Sequence, residues 1–152
     1  MTNGEKAYEL MQAALGQPEG SGDWLEIDQA RIDAFADVSG DHQFIHVDPE
    51  ACRTMSPWGV PIAHGFLTLS LLPALIGQVY KVEGGKMGVN YGLNKVRFTS
   101  PVPVGSKVRG TVELVEVSDV SGGVQLVNKV TVEIEGSDRP ALVAEWLTRQ
   151  YL

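Results

Sequence analysis

The chain is poor in several things, and each shortage excludes a class of protein. Among 152 residues there is a single cysteine, Cys52. No internal disulfide is available, and a reducing compartment is expected. There is no long hydrophobic run. The most apolar stretch, Phe66 to Ile76, contains Thr68, Ser70 and Pro73 and falls short of the about 20 residues that a bilayer span needs. The amino-terminal segment, Met1 to Gly22, carries Glu5, Lys6, Glu9 and Glu19 and lacks the apolar core of a secretory signal, so a cytoplasmic location is expected. Positive charge is scarce too. With 12 Lys and Arg against 19 Asp and Glu the net charge is −7, which is not the footprint of a nucleic-acid binder. Neither a nucleic acid nor a membrane is expected as a partner.

What is present is ordinary globular usage: 43% hydrophobic residues, 20% charged, 17 Gly and 8 Pro, with no internal repeat or low-complexity tract. The length fits one domain, residues 1–152, which buries roughly 70% of its unfolded surface and needs no metal or disulfide to fold. Residues 1–22 read as a helical extension, with Ala7, Leu10, Met11, Ala14 and Leu15 at helical spacing and a break over Gly16 to Gly22. A short strand is predicted over Asp23 to Ile27. Asp28 then has the chemistry of an N-cap, opening a helix that ends near Ser39 and Gly40. A loop follows to Val47, and Asp48-Pro49-Glu50 starts a second, short helix that stops near Ser56 and Pro57.

From His64 to Tyr80 the apolar residues point around the whole circumference of a helix, the pattern of a helix buried on every side. Pro73 should bend it. From Lys86 the period becomes alternating. The apolar parity of Val108, Val112 and Leu114 switches at Val115 and Val117, which predicts a bulge near Leu114. Ser121-Gly122-Gly123 marks a hairpin turn, Val124 to Ile134 is the next strand with Asn128 as a polar intruder, and Ala141 to Tyr151 is the last. Hairpin-linked strands following one buried helix give an α+β fold, an antiparallel sheet wrapped around a central helix.

Reactive groups are densest in Gly40-Asp41-His42-Gln43-Phe44-Ile45-His46-Val47-Asp48-Pro49. An Asp and a His five positions apart in a loop can converge on one small volume, where His moves protons near neutral pH and a carboxylate orients it. Spacing alone equally accommodates Asp41 as a turn cap and His46 as a satisfied loop residue. Asp41, His42, His46, Asp48 and His64 are metal-ligand types. Yet His42 and His46 need a helix to share a face, and a loop is predicted there, so no metal is expected. His64-Gly65 opens the central helix. A glycine at that place lets a ligand approach free backbone amides, which suits developing negative charge; tight packing at Gly65 and capping by His64 explain the same pair structurally.

Taken in order, these segments resemble one family. The run Phe35 to Pro49, with Asp41, four residues, then His46, resembles the hydratase motif of the MaoC-like (R)-specific enoyl-CoA hydratases and dehydratases. Ala63-His64-Gly65-Phe66-Leu67 resembles their central-helix opening, and Asn94-Lys95-Val96-Arg97-Phe98 through Gly105 the strand and overhang that follow. Gln43-Phe44 stands where the most familiar motif has Asn-Pro, a form similar to the nodulation-protein-N-like branch. A serine that some members place deep in the helix falls at Pro73 here.

The resemblance implies the hot-dog fold and reversible hydration of trans-2-enoyl-CoA or acyl-carrier thioesters. It further implies Asp41 and His46 as the catalytic pair, the Gly65 amide as oxyanion donor, and His64 and Asn94 as substrate-binding residues. No cofactor is implied, since the CoA thioester is the substrate, and a homodimer is expected. A hot-dog thioesterase and a non-catalytic acyl-binding module remain as alternatives. Because the chain is acidic, an anionic carrier needs local basic residues, for which Lys81, Lys86, Lys95, Arg97 and Lys107 are the candidates.

Overall fold

A computed structural model describes Glu9, residues 18–79, Val82 and residues 84–152. Apart from Glu9, the helix read over Glu5 to Leu15 lies outside the described residues, as do Tyr80 and Lys81. The break after that helix is partly strand: β1, Pro18–Ser21, and β2, Leu25–Glu26, each pair antiparallel with the later strand Lys107–Val120. Helix α1, Gln29–Ser39, is capped as its sequence dictates. The Asp28 carboxylate accepts the Arg31 amide at 2.8 Å, and Gly40 closes the other end in the left-handed conformation, φ 82°.

The loop read over Gly40 to Val47 contains a single helical turn, α2, Phe44–Val47. Its start is local chemistry: the Asp41 carboxylate accepts the Gln43 amide at 3.2 Å, folding the chain back into the turn. Asp48 then caps α3, Pro49–Met55, by accepting the Ala51 amide at 3.0 Å.

The central helix runs as α4, Gly65–Ser70, and α5, Leu72–Ile76, with its break at Leu71. Pro73 has no N–H, so the ladder cannot continue unchanged. The Leu71 amide reaches the Thr68 carbonyl, while Ser70 Oγ donates to the Leu67 carbonyl at 2.7 Å. Normal bonding resumes with the Leu75 amide on the Leu71 carbonyl.

Four long strands follow: β3, Met87–Arg97; β4, Lys107–Val120; β5, Gly123–Ile134; and β6, Leu142–Tyr151. The antiparallel sheet has the order β1-β4-β5-β6-β3, with β2 also on β4. The register shifts between Leu114 and Glu116, which makes Val115 the bulged residue, and Val120 pairs with Gly123 across the expected turn.

The sheet curls around α4 and α5. Leu67, Leu72, Leu75 and Ile76 pack with Val108, Val112, Val130, Val132, Leu142 and Ala144 in one core, each large aliphatic side chain contributing roughly 1.5–3 kcal/mol by leaving water. Gly110 permits the close approach, since a Cβ there would sit 2.9 Å from Ile76 Cδ1. Burial on every side of the central helix is not what the protomer has. Phe66 is 69% exposed and Ser70, Pro73 and Ala74 are exposed, because β3 is an edge strand that leaves this helix face uncovered. Among the described residues no helix is long and apolar enough to cross a membrane.

Candidate active site

Three elements meet at the amino-terminal end of the central helix. The first is the turn after α1, where Ser39 Oγ accepts the Asp41 amide at 3.3 Å and holds the chain as it leaves the helix. The second is α2, which turns His46 inward until it is 6% exposed. The third is Ile62 to Gly65, anchored where Ile62 bridges Pro103 and its amide donates to the Ile45 carbonyl at 2.9 Å.

These anchors set the protonation of His46. Its Nδ1 lies 2.7 Å from the Ile62 carbonyl. A carbonyl only accepts, so Nδ1 carries the hydrogen and Nε2 presents a lone pair. That lone pair faces Asp41 Oδ2 at 3.9 Å, too far for a direct hydrogen bond and suited to one small molecule held between them. Burial pushes the His46 imidazole below its ordinary pKa and the neighbouring His64 adds to this; the Ile62 carbonyl and the Asp41 carboxylate pull the other way. Gln29 Nε2 donates to the His46 carbonyl at 2.8 Å and ties α1 to α2.

His64 fixes the other partner. It is 2% exposed, its ring stacks on His46 with centroids 3.8 Å apart and 22° between planes, and Phe35 packs against it at 4.9 Å. Its Nε2 donates to the Asp41 backbone carbonyl at 2.9 Å. Its Nδ1 is buried with no hydrogen-bond partner among the described residues. Gly65 begins α4, so its N–H is one of the amides that a helix leaves unbonded at its start. A Cβ on Gly65 would lie 3.1–3.2 Å from three Phe98 ring carbons; Phe98 itself is 48% exposed and meets Phe66 edge to face.

Of the residues singled out from sequence, Asp41, His46, His64 and Gly65 therefore come together. Asn94 does not join them: it is exposed on β3, where the register shifts between Leu93 and Lys95, and makes no hydrogen bond to Asp41, His46 or His64. His42 points away and pairs with Asp37 at 2.9 Å, a hydrogen bond that raises its pKa. Lys95 and Arg97 lie on β3, Lys86 just before it, and Lys107 opens β4.

Asp41, His46 and His64 bring metal-ligand atoms within 4.8 Å of one another. A metal lies in the plane of each imidazole that binds it, at about 2.0–2.1 Å for zinc. Two stacked rings only 22° apart have planes that meet far from both, so this trio does not fit a shared ion. The Ile62 carbonyl, Gln29 and Phe98 complete the site; a backbone acceptor and a lone side-chain amide leave no sequence signature, and Phe98, though it ends the Asn94 to Phe98 segment, carries no mark there of its packing on Gly65.

Residues 11–136 match the MaoC like domain family. The chain is 54% identical over 140 residues to the 3-hydroxyacyl-thioester dehydratase Z of Mycobacterium tuberculosis, covering 91% of this chain and 92% of that one. It is 52% identical over 137 residues to nodulation protein N of Rhizobium leguminosarum, covering 88% and 84%. The solved structure of the (R)-hydratase of Aeromonas caviae superposes with a TM-score of 0.68 at 28% identity, over 88% of this chain and 94% of that one.

Proposed function

Because the chain belongs to the MaoC-like family of hydratases and dehydratases, with nodulation N proteins among its relatives, we propose that this hydro-lyase interconverts trans-2-enoyl thioesters and (3R)-3-hydroxyacyl thioesters through Asp41, His46 and Gly65. The observation that carries the reading is the 3.9 Å gap between His46 Nε2 and Asp41 Oδ2. A water in that gap donates one hydrogen to each acceptor, and its oxygen is left facing the β-carbon. As the carbon–oxygen bond forms, His46 Nε2 takes a water proton, electron density moves to the thioester oxygen, and the imidazolium returns a proton to the α-carbon. The sum is one H and one OH added across the double bond. His46 is suited to begin as a base because burial keeps it neutral.

The Gly65 N–H is the donor to the enolate-like oxygen. His64 acts through its neighbours: its bond to the Asp41 carbonyl holds the acid loop, and its ring supports His46. The thioester is its own electron sink, so the proposed steps use no cofactor. A CoA or acyl-carrier thioester is the substrate, and the buried free thiol of Cys52 fits a reducing cytoplasm.

The assembly we propose is a homodimer. Edge strand β3 presents Met87, Val89, Tyr91 and Leu93 to solvent beside Phe66 and Phe98, and an open edge with this much apolar surface is a template for a second chain. Crotonyl-CoA tests the chemistry. Loss of the enoyl absorbance without free thiol is the expected result; free thiol means a thioesterase, and binding without either means a carrier-binding module.

A further inference from the structure

Two cavities adjoin along the uncovered face of the central helix, between it and strands β3 and β6. The nearer, about 250 Å³, begins at Leu69 and Ser70, one turn beyond Gly65, and has Leu72 and Leu93 in its walls. The farther is about 420 Å³. Three residues line both and so stand between them: Pro73 on the helix, Asn90 on β3 and Trp146 on β6.

An irregular strand builds this partition. Asn90 and Leu93 lie three positions apart and would face opposite sides of a regular strand. The β3 register shifts between Asn90 and Gly92, so that Asn90 pairs with Thr148 and Leu93 with Trp146. Trp146 and Thr148 alternate on the same side of β6 as Leu142 and Ala144, which pack in the core. Opposed residues of an antiparallel pair share a face, so Asn90 and Leu93 both look toward the helix. The Trp146 ring is half-buried against the core, and its Nε1 donates to Asn90 Oδ1 at 3.2 Å. The groove runs along the strands, from Leu93 past Asn90 to Met87 and from Trp146 past Thr148 to Gln150. A bond from β6 to β3 therefore crosses it, with Pro73 on the helix side.

The place of that crossing fixes a length. At its usual rise the helix advances roughly 12 Å from Gly65 to Pro73. Carbon–carbon bonds of about 1.5 Å carry an extended chain forward roughly 1.3 Å each. With its thioester carbon at Gly65, an eight-carbon chain ends about 9 Å away, short of the partition, and a twelve-carbon chain about 14 Å away, beyond it. We propose that Trp146, latched by Asn90, is the stop that sets acyl-chain length, admitting enoyl thioesters of about eight carbons and rejecting those of about twelve. Both residues determine specificity and stand remote from the reacting atoms. The proposal rests on the hydratase reading above.

The test measures kcat/KM for crotonyl-CoA, trans-2-octenoyl-CoA and trans-2-dodecenoyl-CoA and compares ratios within each protein, so that a general loss of folded enzyme cancels. In the wild type octenoyl-CoA should exceed dodecenoyl-CoA by at least about tenfold, since one methylene too many in an apolar pocket is worth about 10–200-fold. Trp146→Ala removes the stop and should bring the two substrates level. Asn90→Ala keeps the indole but frees it to swing, and should raise the dodecenoyl-to-octenoyl ratio about three- to tenfold, the worth of one net hydrogen bond. Trp146 packs on the core; if Trp146→Ala does not fold, Asn90→Ala, at an exposed residue of the edge strand, decides alone. A wild-type enzyme that hydrates crotonyl-CoA but takes the two longer chains equally, or rejects octenoyl-CoA as well, overturns the proposal alone. The wild-type ratio in Asn90→Ala, or in a folded Trp146→Ala, overturns it too. No hydration of crotonyl-CoA overturns the hydratase reading, and the proposal with it.

Discussion

Replacing Gly65 by Ala puts a methyl group between two things the structure holds close together, a helix-start amide and the ring of Phe98. The new Cβ would stand 3.1–3.2 Å from three ring carbons, several tenths of an ångström inside the optimum of about 3.5–4.0 Å. Overpacking a closed core costs about 1–3 kcal/mol. Phe98 is half exposed and free to pivot on its solvent side, so the lower end of that range applies. Against it stands a gain of about 0.4–1 kcal/mol from restricting the unfolded chain, since Gly65 needs no positive φ. The net effect should lie within about 1 kcal/mol, a melting shift of no more than about 2–4 °C for a chain of this size.

Activity should respond very differently. If the Gly65 N–H donates to the thioester oxygen, a methyl group beside it keeps that oxygen away, and losing such a donor is worth about 10²–10³ in kcat. Crotonyl-CoA hydration and a calorimetric melt on one preparation separate the two effects. A Gly65→Ala/Phe98→Leu double variant guards against a trivial cause. If the displaced ring alone blocks the site, the double variant recovers activity; if the amide matters, it stays slow. Full activity in Gly65→Ala, or recovery in the double variant, refutes the oxyanion assignment.

Titration of His46 sets a second expectation. Burial lowers its pKa, so kcat/KM should hold as pH falls to the ordinary histidine value of about 6.5 and decline only below it. The sign for stability follows. A group whose folded pKa is lowered binds fewer protons folded than unfolded, so its contribution is present above about 6.5 and is lost as pH falls through the folded value. Denaturant melts of wild type and His46→Gln should therefore differ in pH slope only below that point. A third expectation concerns the β4–β5 turn. A Cβ on Gly123 would lie against the Gln150 backbone carbonyl, under the distance any real Cβ adopts, and backbone cannot step aside as a side chain can. Gly123→Ala should lower the melting temperature more than Gly122→Ala, which has room, its nearest contact a Tyr151 ring carbon at 3.8 Å, and costs only the strain of a side chain at φ 81°.

Much of the fold was legible because its signals are local. Asp28 and Asp48 cap the helices they precede, Gly40 closes α1, the parity switch at Val115 is a true bulge, and Ser121-Gly122 turns the hairpin. Local signals could not foresee β1, whose Ser21 pairs with Thr111 across most of the chain. Nor could hydropathy report that the Phe66 face is open: an apolar side chain reads the same whether its own sheet covers it or a neighbouring chain does. In the site, Asp41 and His46 were within reach because they lie only five positions apart. The contacts that give each its geometry come from Ile62 and His64, 16 and 23 residues away, and one of them is a backbone carbonyl with no sequence signature at all.

The central claim is that Asp41 and His46 act together on one water, and Asp41→Asn tests it most directly. The amide keeps an oxygen able to accept the Gln43 amide, so the turn and the fold should survive, while the carboxylate is lost. The measurement is the rate of crotonyl-CoA hydration, near neutral pH where His46 is unprotonated, with a melting curve on the same sample. The expected result is a fall of about 10²–10⁴ in turnover at an unchanged melting temperature. Turnover within a few-fold of wild type in a normally folded Asp41→Asn protein would contradict it.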